Sequence, residues 1–400
     1  MSFLLMGLVV FSATQAEGAA APSPAAVVAP LTLGEGGAVL RDGKPCRAIG
    51  VNYFDLFSRL LANPDPASIE KGLDELSRRG IPFARFMACP FWPSEWKLYR
   101  EDKKEYFRRM DLAVRAAEKR GIGLIPSLFW LDVCVPDMMD EPRSAWGDPA
   151  SRTIGFMRAY AAEVVGRYAS SPAIWAWELG NEHSLAADLP NAADNRPPVV
   201  PQLGTRAARG PADDMTHDMI ATACREFGAA VRRADPHRLI TSGHSMPRGS
   251  AEHQRAELSW TQDSRDEFMR NLADVTPDPL NLISVHLYPF DKERRFDQPV
   301  TPHLELLQLC MRASAASGKA LFVGEFGAPD TEKDGGPEKA RAEITEMIAA
   351  IEAAGVPLAA LWVFDFPYQE DFVNVSTTNH RAWVLEELEK ANRRLRDSAK

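Results

Sequence analysis

The chain is poor in three things that would direct its function elsewhere. It has no excess of positive charge, since the formal net charge is −9. An acidic surface repels polyanions, so no nucleic-acid partner is expected, whereas a neutral polymer meets no such barrier. It has five cysteines, Cys46, Cys89, Cys134, Cys224 and Cys310, and no Cys-x-x-Cys pair among them. That removes the zinc-cluster and thioredoxin-like signatures. The odd count leaves at least one thiol unpaired. Cys89 and Cys134 each follow a predicted strand, and either pair with one another or stay as buried thiols. After its first residues the chain has no apolar run long enough to cross a bilayer, so no stable membrane insertion is expected.

Three motifs are missing as well. No Gly-x-Gly-x-x-Gly follows the first predicted strand, which argues against a dinucleotide-binding open sheet. Gly243-His244-Ser245-Met246-Pro247 lacks the second glycine of a nucleophile elbow, which argues against a serine hydrolase. His217, His237, His253, His303 and His380 lack the mutual spacing of a metal site and read as surface or capping residues. Neither a metal nor a cofactor is expected.

What is present is a globular composition, 45% hydrophobic and 25% charged over 400 residues, enough to bury a large core. The apolar run Phe3 to Phe11 is followed by small residues. Residues 1–21 therefore read as a signal peptide, although no Lys or Arg precedes the run; a disordered or lipid-facing leader is the alternative. Residues 22–35 read as a linker and 36–400 as one catalytic domain. The expected location is secreted or periplasmic, and a monomer is expected.

From residue 36 onward short apolar runs alternate with amphipathic stretches. A hairpin is predicted around Asp42-Gly43, from Ala38–Leu40 to Lys44–Ile49. Eight strands follow: Arg47–Asn52, Pro82–Met87, Gly123–Leu128, Ala173–Leu179, Arg238–Ser242, Leu282–His286, Ala320–Glu325 and Pro357–Phe364. Helices are predicted over 67–79, 104–120, 151–169, 214–234, 301–317, 337–354 and 380–397, with a short or irregular piece near 263–273. Gly80, Gly121, Pro172, Gly318 and Gly355 punctuate the units. Eight successive βα units imply an α/β fold, a (β/α)8 TIM barrel. The long segment Ser184–Asp213 follows strand four and so lies on the catalytic face.

Active sites of such barrels lie at the C-terminal ends of the strands. Strand two ends near Arg85, strand four in Asn181-Glu182-His183, strand six in His286-Leu287-Tyr288 and strand seven in Gly324-Glu325. Strand eight carries Trp362 and Asp365. One buried ion pair, such as Arg85 with Glu325, would account for two of these residues. Five strands converging on one rim ask for chemistry. Strands four and seven face each other, so Glu182 and Glu325 meet across the mouth. Two carboxyls about 5–5.5 Å apart suit a retaining glycoside double displacement. Like charge is expected to raise one of them, while Arg85 and the Tyr288 hydroxyl hold the other as an anion.

Ile174–Glu182 (Ile-Trp-Ala-Trp-Glu-Leu-Gly-Asn-Glu) and Leu321–Gly327 (Leu-Phe-Val-Gly-Glu-Phe-Gly) resemble the strand-four and strand-seven signatures of glycoside hydrolase family 5, in clan A. The resemblance spans about 38–395 and includes Gly50-Val51-Asn52-Tyr53, His286-x-Tyr288 and Trp362. It implies an O-glycosyl hydrolase with Glu182 as acid/base and Glu325 as nucleophile. It implies further that Asn181 binds the sugar 2-hydroxyl, that Arg85 and Tyr288 position Glu325, that His286 organises the polar network and that Trp362 floors subsite −1. Two departures stand out. Ser127–Asp132 lacks the strand-three His of many family cellulases, and His183 stands where they often have Pro. Both favour a mannan-active member, an endo-β-1,4-mannanase, over a β-1,4-glucanase.

Several residues keep two readings. Of Trp92, Trp96 and Trp130, at least one is a sugar platform unless all three pack loops. Trp260 is a weaker cleft candidate, and Trp175 and Trp177 read as packing residues. Glu178 reads as a buried paired carboxylate. His183 either binds substrate or shapes its loop; Asp365 and Tyr368 either bind sugar hydroxyls or hold their loop; His244 is a weaker site candidate. A non-catalytic glycan-binding barrel would lack one carboxylate of the pair, and both are present. A transglycosylase would share the same residues.

Overall fold

The computed structural model describes residues 30–398. The predicted signal peptide and most of the predicted linker lie outside the described residues. Leu31–Leu33, at the end of the stretch read as linker, forms β1 instead. It pairs antiparallel with β2 (Val39–Arg41), which turns through Asp42-Gly43 into β3 (Lys44–Pro45). The predicted hairpin is therefore one part of a three-stranded sheet.

The barrel strands follow: β4 (Ala48–Asn52), β5 (Phe83–Met87), β6 (Gly123–Phe129), β7 (Ala176–Gly180) and β8 (Leu239–Thr241). After β9 (Leu282–Leu287) a small hairpin intervenes, β10 (Glu293–Arg295) and β11 (Gln298–Val300). β12 (Ala320–Phe326) and β13 (Leu358–Leu361) complete a closed parallel barrel. Each barrel strand lies within a predicted run or overshoots it by one residue, whereas β10 and β11 fall in none. The piece near 263–273 is a regular helix, Arg265–Asp274, because Ser264 and Glu267 form a capping box at its start. No helix among the described residues is long and apolar enough to cross a membrane.

Alternation along the strands sorts two cores. Inward residues Ala48, Phe83, Ile125, Ala176, Leu239, Leu282, Phe322 and Leu358 fill the lower barrel, with Leu31 and Val39 of the N-terminal sheet joining them. Outward residues such as Val51, Trp177, Ile240, Val285 and Val323 pack under the helices. Two or four residues higher, the inward positions become polar: Arg85, Ser127 and Glu178 at two, Asn52 and His286 at four. Strict alternation would turn Glu325 outward, since Phe322 faces in. The pairing between β9 and β12 slips between Val323 and Glu325, leaving Gly324 as an extra residue opposite the Val285–His286 step. One added residue reverses the facing of all that follows. This bulge brings Glu325 into the barrel mouth. A Cβ on Gly324 would lie 2.9 Å from His286 Nε2, so glycine is required there.

Candidate active site

Arg85 is the hub. Its guanidinium is fully buried and makes a fork of bonds that only Arg can supply. Nε donates to Glu178 at 2.9 Å and 3.0 Å, Nη1 to Asn52 Oδ1 and to Glu325 Oε1 at 2.9 Å each, and Nη2 to Asn181 Oδ1 at 2.7 Å. Asn52, given no role of its own in the sequence reading, also donates to the Gly324 carbonyl at 2.9 Å and so clamps the bulge. Burial raises the Glu178 carboxyl, and Arg85 opposes the rise. Glu178 is thus the paired structural carboxylate the sequence suggested.

Glu325 accepts a second short bond, 2.6 Å, from the Tyr288 hydroxyl. Burial and the neighbouring Glu325 charge push that phenol well above its usual range, so it remains a donor. His286 Nδ1 lies 2.8 Å from Glu182 Oε1 and 3.5 Å from Glu325 Oε2. The three atoms, one from each residue, lie within 4.8 Å of one another. Such a set has the donor types of a divalent-cation site. Here Arg85, Tyr288 and His286 already occupy the carboxylate oxygens with hydrogen bonds.

Glu182 is held in the left-handed region, with φ 54°. For a non-glycine residue that costs about 1–3 kcal/mol. Its N–H bonds to the Gly243 carbonyl at 2.9 Å, and Asn181 N–H to the Trp130 carbonyl at 3.2 Å. These bonds to neighbouring strand ends fix the kink that aims Glu182 at its partner. Burial opposes its ionisation, but the His286 hydrogen bond, His286 charge and Arg85 outweigh it and hold the carboxyl below the usual range. The expectation that like charge raises one carboxyl is not met at Glu182, because the bond to His286 and the Arg85 charge together outweigh burial.

Above this layer is a cleft of about 1390 Å³ whose lining includes Asn181, Glu182, Tyr288, Glu325, Trp92, Trp130 and Trp362. Arg85 and His286 lie behind the lining. Trp130 and Trp362 stack at 6.0 Å with 24° between their planes, and Arg85 sits 4.7 Å from the Trp130 ring centre. Phe54, which the sequence reading missed, packs edge-on against Trp130 at 4.9 Å and tilted against Trp362 at 5.7 Å. An aromatic beside the Gly-Val-Asn end of strand one was the available signal.

Other candidates fall outside the cleft. His183 is buried, with Nε2 3.0 Å from the Phe129 carbonyl and its ring near Trp146. That placement leaves the loop-shaping reading. Trp96 is buried with its indole on Cys134 Sγ, and Trp260 is exposed elsewhere. Asp365 is engaged by Arg59 and Tyr53, so it holds its loop, whereas Tyr368 lines the cleft. His217 and His303, expected in surface or capping roles, are buried, each at the first residue of a helix. His244 is buried beside His217 at a separate pocket of about 40 Å³. All five cysteines are free. Cys89 does not pair with Cys134; each thiol accepts an N–H instead, from Trp130 and Trp96.

A family model described as "Cellulase (glycosyl hydrolase family 5)" matches residues 41–365. The chain is 28% identical over 192 residues to "Mannan endo-1,4-beta-mannosidase F" of Aspergillus clavatus, covering 46% of this chain and 36% of that protein. It is 40% identical over 81 residues to "Mannan endo-1,4-beta-mannosidase A" of Podospora anserina, covering 19% and 21%. It thus spans well under half the length of these relatives. Among solved structures, the endo-1,4-beta-mannanase from Rhizomucor miehei superposes with a TM-score of 0.65 over 92% of this chain and 100% of that one, at 14% identity. That likeness supports the fold.

Proposed function

The chain belongs to glycosyl hydrolase family 5, and on that premise we propose that it hydrolyses β-1,4-mannan or related mannosides with retention of configuration. The observation that carries the mechanism is the approach of the two carboxylates, with one oxygen of each inside the 4.8 Å group. That spacing fits a retaining pair and leaves no room for the water of an inverting one, which needs carboxyls about 6.5–9.5 Å apart. Mannan as substrate is supported by the similarity to mannan endo-1,4-beta-mannosidases and by the two departures from the cellulase pattern at Ser127–Asp132 and His183.

In this reading Glu325 attacks the anomeric carbon and forms a glycosyl ester. Arg85 and Tyr288 keep it ionised and aimed. Glu182 gives its proton to the leaving glycosidic oxygen, so the C–O bond breaks with a neutral alcohol departing. Glu182 then removes a proton from water, which attacks the same carbon and releases Glu325. Because His286 and Arg85 favour the ionised Glu182, sugar binding has to restore its proton. A bound sugar does so by excluding water, which strengthens the burial effect that already opposes the charge. Asn181, held by Arg85, faces the 2-hydroxyl, and Trp362 floors the reacting ring. The neutral, C–H-rich face of a pyranose suits that indole. We place the reaction outside the cytoplasm, in keeping with the leader-like residues 1–21.

The test is a substrate panel with two variants. Wild-type protein should turn over mannan and glucomannan with higher kcat/KM than cellulose or mixed-linkage β-glucan. Glu182→Ala should lower the rate by about 10²–10⁴, and Glu325→Ala by at least as much. Faster turnover of β-glucan would replace the substrate; near wild-type rates in either variant would remove the mechanism.

A further inference from the structure

The cleft is lopsided. Among the described residues, none from 131–180 and none from 186–287 lines it. The long segment after β7 is therefore not a lid over the substrate. It is stapled outside the cleft: Arg209 binds Asp137 at 2.5 Å and 2.6 Å, and Arg196 binds Asp214 at 2.7 Å and 2.9 Å. Its Gly204 is pressed so close to Pro93 and Ser94 that an added Cβ would lie 3.0 Å from the Ser94 nitrogen. The Glu182 flank ends at Leu185, while the opposite flank extends across the loops after β4, β5, β9, β12 and β13.

In-line displacement fixes which part of the substrate meets which flank. The leaving oxygen lies across the anomeric carbon from Glu325, where Glu182 can protonate it. The aglycone therefore departs toward the short flank, and the long lobe receives the glycone.

That lobe carries exposed apolar surface. Tyr368 is 90% exposed and Phe372 43%, and both line the cleft. Ring contacts lead out to them from the floor of the reacting site: Trp362 to Phe54 at 5.7 Å, Phe54 to Phe366 at 4.9 Å, Phe366 to Tyr368 at 5.5 Å. The turn bearing them is ordered by hydrogen bonds. The Gln369 carbonyl accepts the N–H groups of Phe372, Val373 and Asn374 at 3.1, 3.1 and 3.0 Å, and its amide oxygen accepts the Trp362 indole N–H at 3.0 Å. Asn374 Oδ1 takes the Phe366 N–H at 2.7 Å. Rings fixed in register with the reacting site and left facing water mark a binding surface.

We propose that Phe366, Tyr368 and Phe372 form a glycone subsite beyond the reacting sugar, taking a neutral β-linked hexose unit by its C–H face. The protein then grips its chain mainly on the non-reducing side of the scissile bond. This rests on the retaining reading with Glu182 as the acid.

The experiment is hydrolysis of mannohexaose labelled with ¹⁸O at its reducing end, read by mass spectrometry at early times. The label should appear mainly in the smaller product. In parallel, Tyr368→Ala and Phe372→Ala should each lower the ratio of kcat/KM for mannohexaose over mannotriose by about ten-fold, and Tyr368→Trp should restore it. Label mainly in the larger product, or an unchanged ratio in both alanine variants, overturns the proposal. Absence of any cleavage would remove the mannan-hydrolase reading itself and the subsite with it.

Discussion

Arg85 Nη1 stands 2.9 Å from Glu325 Oε1 in the barrel mouth, and the same guanidinium also neutralises Glu178. One buried cation therefore serves two buried carboxylates. Removing it leaves both uncompensated, and breaking a buried pair costs about 3–5 kcal/mol. Arg85→Ala should lower stability in urea unfolding by at least that amount and abolish turnover. Arg85→Lys should fold better but stay slow, because a point charge cannot make the four-partner fork. Full activity in the lysine variant would contradict the assignment of Arg85.

The second relationship concerns protonation. Glu182 lies below the usual carboxylate range because burial, the largest single influence, is outweighed by His286 and Arg85 together. His286→Ala removes the donor and leaves burial in control, so the Glu182 carboxyl should rise. The basic limb of the kcat/KM profile, which reports loss of the acid's proton in the free protein, should then move to higher pH while the maximal rate falls. A limb that stays or moves down would show that His286 does not govern Glu182.

Acid stability depends on residues away from the cleft. Burial pushes His244 down to about 3 and His217 to about 4. An unfolded histidine takes up a proton near pH 6.5, whereas these two stay neutral in the fold until much lower pH. The stability they allow is complete above about pH 6.5 and is lost as pH falls toward their folded values. Each adds a slope of at most about 1.4 kcal/mol per pH unit. Urea unfolding at pH 4.5 to 7 should show a steep acid loss, and His244→Gln should flatten it by about one proton.

Thiol chemistry separates the two readings of the cysteines. With Cys89, Cys134, Cys224 and Cys310 buried and free, and Cys46 half-buried, a thiol reagent should find at most one group in the native protein. In denaturant without reductant it should find five. A count of three would reinstate a disulfide.

Much of this was legible in the sequence, for identifiable reasons. Gly and Pro stops between apolar runs located five of the eight barrel strands, because a helix must end before the chain can re-enter the sheet. Leu31–Leu33 escaped notice because three residues carry no period; their strand exists only through pairing with Val39–Arg41. The facing of Glu325 depends on the bulge at Gly324, which alternation alone would misplace. His183 follows Glu182 directly, yet it is turned to the Phe129 carbonyl, away from the cleft. The protonation of Glu182 was read from its like-charged partner, whereas His286, 104 positions away in the chain, and Arg85 lower it against burial.

The central claim is that Glu325 and Glu182 carry out a double displacement. Its most direct test is NMR of the first product formed from mannohexaose, recorded before mutarotation. The β-anomer at the new reducing end is predicted; the α-anomer would contradict the account.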